Sequence, residues 1–166
     1  WITSRGLGDV YKRQPPEDSL DLIEKKSRSK PPEIKVGIIK LPSISNFSDF
    51  DPLENEETIF IEWIRKSQNL SKYDFIILPG SKQTIKDQIF LENSGLSKDI
   101  RDYSKNEGNI IGICGGLQML GTTLEDPYFK EGSNNYSEQK IKGIGLLPLK
   151  TTFFKKKLTR QIKSKS

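Results

Sequence analysis

Cys114 is the one thiol in a chain of 166 residues that contains no histidine, so sulfur chemistry has to be built around it. That count excludes an internal disulfide and a Cys/His zinc cluster. Its setting is residues 109–121, Asn-Ile-Ile-Gly-Ile-Cys-Gly-Gly-Leu-Gln-Met-Leu-Gly. Residues 109–113 read as a short buried strand and residues 117–120 as the start of a helix, which puts Cys114 on the turn between them. Gly112 and Gly116 stand two residues before and two after it, the glycine spacing of a nucleophile elbow. A nucleophile on such a tight turn has a strained backbone, and side chains two residues to either side would collide with it. The helix beginning after Cys114 would aim its free N–H groups and positive end at the sulfur, favouring the thiolate that attacks. The Gly115 N–H would be placed to donate to an oxyanion. The competing reading is a lone cysteine acting as a small buried hydrophobe. The paired glycines, the apolar run before them and the amphipathic run after them favour the nucleophile.

Presenting a thiol in this way takes strands that feed helices, and the rest of the chain supplies them. Residues 33–41, Glu-Ile-Lys-Val-Gly-Ile-Ile-Lys-Leu, form a β-branched run stopped by Pro42 and read as the first core strand. A loop over residues 42–53 follows, in which Phe47 and Phe50 read as anchors into the core, and no role is derived for Asn46 or Asp49. Residues 58–64 and 73–78 are two more strands, the second ending in Pro79-Gly80-Ser81-Lys82. Such a turn at the carboxyl end of a parallel strand is where open α/β sheets place their sites, although Gly80 alone reads as a plain glycine turn. Lys82 lacks the spacing of a phosphate-binding loop. Thr84 and Asp87 give a capping-box-like start to a helix ending near Gly95, and a further helix covers residues 96–106. Residues 143–153 read as strand, turn and strand. Alternating strands and helices predict an α/β fold: a three-layer, mostly parallel sheet with helices on both faces.

Size and charge narrow the function classes. The length suits one domain. Hydrophobic residues make up 33% and charged residues 30%, so part of the chain is expected to lie outside the packed core. No apolar run reaches membrane-spanning length and no signal-peptide apolar region is read in these residues, so no membrane partner is expected and a cytoplasmic setting is the default. The net charge of +5 belongs to residues 155–166, which carry six basic residues and no acid; the remaining 21 basic residues face 22 acidic ones. That tail has no aromatic residue, and no nucleic-acid partner is expected. Residues 1–14 show no sustained period and read as a non-native leader. Residues 15–32, bracketed by Pro15-Pro16 and Pro31-Pro32, read as an interdomain linker.

Gly112-x-Cys114-x-Gly116-x-Gln118 resembles the nucleophile motif of class I (triad-type) glutamine amidotransferases. The longer Gly-Ile-Cys-Gly-Gly-Leu-Gln-Met-Leu-Gly is similar to the version in the cobyric acid synthase branch of that family. Residues 41–53, Leu-Pro-Ser-Ile-Ser-Asn-Phe-Ser-Asp-Phe-Asp-Pro-Leu, match another string of that branch nearly residue for residue. Gly143-Ile-Gly145-Leu-Leu-Pro148 with Thr151-Thr-Phe153 is a further match, and Glu17-Asp18-Ser19-Leu20 resembles the end of its interdomain segment. The resemblance runs over about residues 33–160, making residues 33–166 a partial amidotransferase domain of class I, flavodoxin-like architecture, incomplete at its C-terminus.

The resemblance implies a division of labour. Cys114 would attack the side-chain carboxamide of glutamine, and the N–H groups of Gly80 and Gly115 would form the oxyanion hole. Gln118 would help bind the substrate glutamine, its alternative being a hydrogen bond on the helix face. The ammonia would serve amidation of adenosylcobyrinic acid a,c-diamide in cobalamin biosynthesis, by a synthetase domain that precedes this one. ATP, Mg and the corrinoid would belong to that absent domain, and this chain would hold no cofactor or metal. A thiol nucleophile needs a base and later an acid, usually histidine. The sequence reads as cut off before that residue, so little or no turnover is expected of it alone. The rivals are an amidotransferase subunit acting on a cell-wall lipid precursor, against which the 41–53 string and Asp126-Pro127 argue, and a non-catalytic α/β binding module.

Overall fold

The computed structural model describes residues 33–130 and 140–155. The expected leader, the linker, most of the polar loop after Asp126 and most of the basic tail lie outside the described residues.

Four strands form a parallel sheet: β1 (Ile34–Ile39), β2 (Ile59–Ile64), β3 (Phe75–Leu78) and β4 (Asn109–Gly112), in the order β2-β1-β3-β4. Ile39 pairs with Ile64, Ile38 with Ile77, and Leu78 with Gly112. The consecutive residues Ile38 and Ile39 are both fully buried although they point to opposite faces. Only a central strand covered on both sides does this, which is why the run is continuously apolar instead of alternating. Each such side chain contributes about 1.5–3 kcal/mol by leaving water.

The two faces are covered unequally. On one, Ile39, Ile64, Ile76 and Leu78 pack with residues from α2 (Thr84–Asn93), α3 (Leu96–Lys105) and α4 (Gly115–Met119), among them Leu91, Ile100 and Met119. On the other, Val36, Ile38 and Ile77 meet Phe50, with Leu53 and Trp63 alongside. That cover comes from a 3-10 turn (Ser48–Phe50) and the four-residue α1 (Asp51–Glu54). The expected three layers are thus lopsided, and the strand expected to be buried before Cys114 is instead a half-exposed edge strand: Ile111, in register beside Ile77, is 44% exposed. Of the two loop aromatics expected to anchor into the core only Phe50 does so: it is buried and meets Trp63 edge-on with ring centroids 5.4 Å apart, whereas Phe47 is 40% exposed and lies over the same ring from outside at 5.0 Å. Asn46 acquires a role as well, its side-chain N–H donating to Asp49 at 2.8 Å and closing the loop.

Three local expectations are corrected. Gln83, not Thr84, is the N-cap of α2, and its side chain makes no capping hydrogen bond; the Asp87 carboxylate also accepts from residues outside the helix, described below. The first strand expected within residues 143–153 lies earlier, as β6 (Lys140–Lys142), and only β7 (Lys150–Thr152) falls inside that stretch. Residues 143–147 instead satisfy their N–H groups on the chain leaving α4: Ile144 donates to Met119 O at 2.7 Å, and Leu146 and Leu147 both donate to Leu120 O. A strand absent from the expectations, β5 (Thr123–Glu125), pairs antiparallel with β6 and parallel with β7 in a second, three-stranded sheet. Three residues are too few for a readable alternation, and β5 holds its place through partners far along the chain. Among the described residues no helix is long and apolar enough to cross a membrane.

Candidate active site

β4 ends at Gly112 and α4 begins at Gly115, so Ile113 and Cys114 make the reversal. The Ile113 N–H donates to Leu78 O at 3.0 Å, extending the β3–β4 ladder by one bond, and Gly116 N–H donates back to Ile113 O at 2.8 Å. Between those two anchors Cys114 takes φ 49° and ψ −110°. A positive φ of this kind costs an L-residue on the order of 1–3 kcal/mol and persists only where surrounding bonds over-determine it. The thiol-bearing residue is exposed.

The flanking glycines are required sterically, as their spacing implies. A Cβ on Gly116 would run into Leu78 O, and one on Gly112 would stand 2.8 Å from the Leu117 Cα. α4 differs from expectation in length: it has five residues. So short a helix sums few peptide dipoles, and what faces the turn is a set of individual N–H groups more than a macrodipole.

Gly80 comes to the same place from the end of β3. The position a Gly80 Cβ would occupy is 3.7 Å from the Cys114 Cβ. Gly115 abuts the residue after Gly80, its own Cβ position lying 3.0 Å from Ser81 N. Among the described residues neither the Gly80 nor the Gly115 N–H has a protein acceptor. Gln118 lies one turn into α4, with its N–H on Cys114 O at 3.1 Å and its half-buried side chain free of protein partners among the described residues. The exposed Lys82 also follows Gly80 on the same turn.

Two further groups at this turn are missing from the sequence expectations. The loop after β1 lies against the turn after β3: Ser45 N–H donates to Gly80 O at 2.9 Å, and Lys82 N–H donates to Ser43 O at 2.8 Å. Asp87, 1% exposed, holds that junction together. Its carboxylate accepts the Ser81 O–H at 2.6 Å and the Ser43 N–H at 3.2 Å. The serines read in sequence as turn formers and the aspartate as a helix-start residue. Their actual partners lie up to 44 residues away, a separation that local pattern cannot register.

Residues 35–166 match the family of CobB/CobQ-like glutamine amidotransferase domains. The chain belongs to that family. Among curated relatives of this amidotransferase, cobyric acid synthase from Prochlorococcus marinus strain MIT 9301 is 97% identical over 92% of the chain. Cobyric acid synthase from strain MIT 9215 is 91% identical over the same share, and that from strain NATL2A is 53% identical over 91%. The chain spans about 30% of the length of these relatives. Within this amidotransferase domain a groove of about 970 Å³ between α2, α3 and β6 contains none of Cys114, Gly80, Gly115 or Gln118. The elbow is therefore the candidate site. Among the described residues no three His, Cys, Asp or Glu side chains are grouped to hold a metal.

Proposed function

We propose that this segment is the glutaminase part of an enzyme of the cobyric acid synthase type, releasing ammonia from glutamine at Cys114. The observation that carries the reading is an exposed cysteine at positive φ, directly beside Gly80 and followed by Gly115, in a domain of the amidotransferase family. The Cys114 Sγ, as thiolate, adds to the side-chain carbonyl carbon of glutamine. The C=O electron pair moves onto oxygen, and the N–H groups of Gly80 and Gly115 donate to that oxyanion, the interaction worth most when charge develops in a preorganised site. When the tetrahedral adduct collapses, the C–N bond breaks, and the nitrogen takes up a proton and leaves as ammonia. Water then cleaves the thioester to glutamate and regenerates the thiol. The Gln118 side chain holds the substrate from α4.

The 166 residues contain no histidine. The proton-moving group and the ATP- and Mg-dependent synthetase are therefore assigned to the part of the relatives' length that this chain does not span. In the same reading the ammonia amidates carboxylates of adenosylcobyrinic acid a,c-diamide in cobalamin biosynthesis, residues 1–14 are a non-native leader and residues 15–32 a linker. The test uses the full-length gene product. Glutamine-dependent amidation of the corrinoid should vanish in Cys114→Ala while amidation from added ammonia persists. Loss of both activities together, or of neither, contradicts the assignment of Cys114.

A further inference from the structure

We infer that Ser45 is a substrate-contacting residue of this site, its hydroxyl donating to the carboxamide oxygen of the bound glutamine; the inference rests on the glutaminase reading above. The Ser45 Oγ and the Cys114 Cβ both lie within 4 Å of one point, the place a Gly80 Cβ would occupy. The hydroxyl therefore lies on the Gly80 turn within reach of the nucleophile-bearing residue. Its backbone is fixed there by the bond from Ser45 N–H to Gly80 O at 2.9 Å and by the antiparallel bridge between Ile44 and Ser81. The loop behind it is held by the Ser43 N–H on the buried Asp87 carboxylate.

Ser45 is half-buried, and among the described residues its hydroxyl has no hydrogen-bond partner. A serine in a turn ordinarily spends its hydroxyl on a nearby backbone group. Here the group is withheld from the protein at the one place where the Gly80 and Gly115 N–H groups are also unpaired. A third donor at the reacting oxygen complements two backbone donors without needing any motion, because the loop bonds preset it. The rotatable O–H can follow the oxygen as it moves from trigonal to tetrahedral geometry, which the fixed amides cannot.

The test measures alkylation of Cys114 in this chain by the diazo-ketone analogue of L-glutamine, which needs the substrate's own contacts, and by iodoacetamide, which does not. Ser45→Ala should slow the diazo-ketone reaction about tenfold or more, the worth of one hydrogen bond to a charge-bearing oxygen. Its iodoacetamide rate should stay within about twofold of the parent, and Ser45→Thr should retain more diazo-ketone reactivity than Ser45→Ala. An unchanged diazo-ketone rate in Ser45→Ala overturns the inference, and so does an equal slowing with both reagents, which marks a purely structural role. Parent chain that reacts no faster with the L than with the D analogue removes the glutaminase reading itself, and this inference with it.

Discussion

Replacing Gly116 with alanine tests whether the elbow is held by backbone crowding. The added Cβ would run into Leu78 O and stand 2.7 Å from Pro79 O. Both are main-chain atoms at the exit of β3, and Leu78 O is already bound by the Ile113 N–H at 3.0 Å, so neither can swing aside as a flexible side chain would. Overpacking costs about 1–3 kcal/mol where side chains can yield. With only backbone to move, a loss of about 3 kcal/mol is expected, or a fall of roughly 10 °C in Tm for a domain of this size. Gly145 is the control: its φ is +84° and nothing lies within 4 Å of an added Cβ. Alanine there meets only the left-handed backbone cost of about 1 kcal/mol, roughly 3 °C. Circular-dichroism melts of the parent and both variants decide the matter. A Gly116→Ala protein melting within about 3 °C of the parent, or a Gly145→Ala protein falling equally far, refutes the crowding argument.

Other perturbations have equally definite outcomes. Asp87→Ala strips the buried acceptor from the Ser43 N–H and the Ser81 O–H; a loss of about 2–4 kcal/mol in urea unfolding is expected. Burial pushes the Glu62 carboxyl up, but hydrogen bonds from Lys72 and Tyr73 outweigh it and hold the group below its ordinary value of 4.5. Its stabilisation is therefore present above about pH 4.5 and is lost as the pH falls through the lowered value. Because both partners of the Lys72 pair face solvent, at 3.0 Å, Glu62→Gln should cost about 0.5 kcal/mol or less at pH 7, and its melts should converge with the parent's in strong acid. Trp63 donates to Glu54 at 3.0 Å and carries Phe47 and Phe50 against its ring. Trp63→Ala should lose about 3–5 kcal/mol, read in the same unfolding assay.

The elbow was legible because its cause is local. A strained turn excludes side chains from the two positions that Gly112 and Gly116 occupy, and short-range spacing records that exclusion. The parallel sheet was legible for a related reason: runs such as Val36–Gly-Ile-Ile39 are apolar on both faces, and only a strand covered on both sides is written that way. What escaped was set by distance. β5 takes its identity from β6 and β7, Asp87 reaches a loop 44 residues before it, and Ser45 meets Gly80 only after β1 and β3 have paired. The 143–147 segment looked like a strand by composition, yet its donors are taken by the carbonyls of Met119, Leu120 and Gly121, which the short α4 leaves open.

Whether Cys114 is a nucleophile presented to glutamine is read most directly by mass spectrometry of the chain after treatment with the diazo-ketone analogue of L-glutamine. One adduct is expected, mapped to Cys114, whose formation is suppressed by excess L-glutamine and not by D-glutamine. A Cys114 left unmodified, or modified at a rate indifferent to L-glutamine, would contradict it.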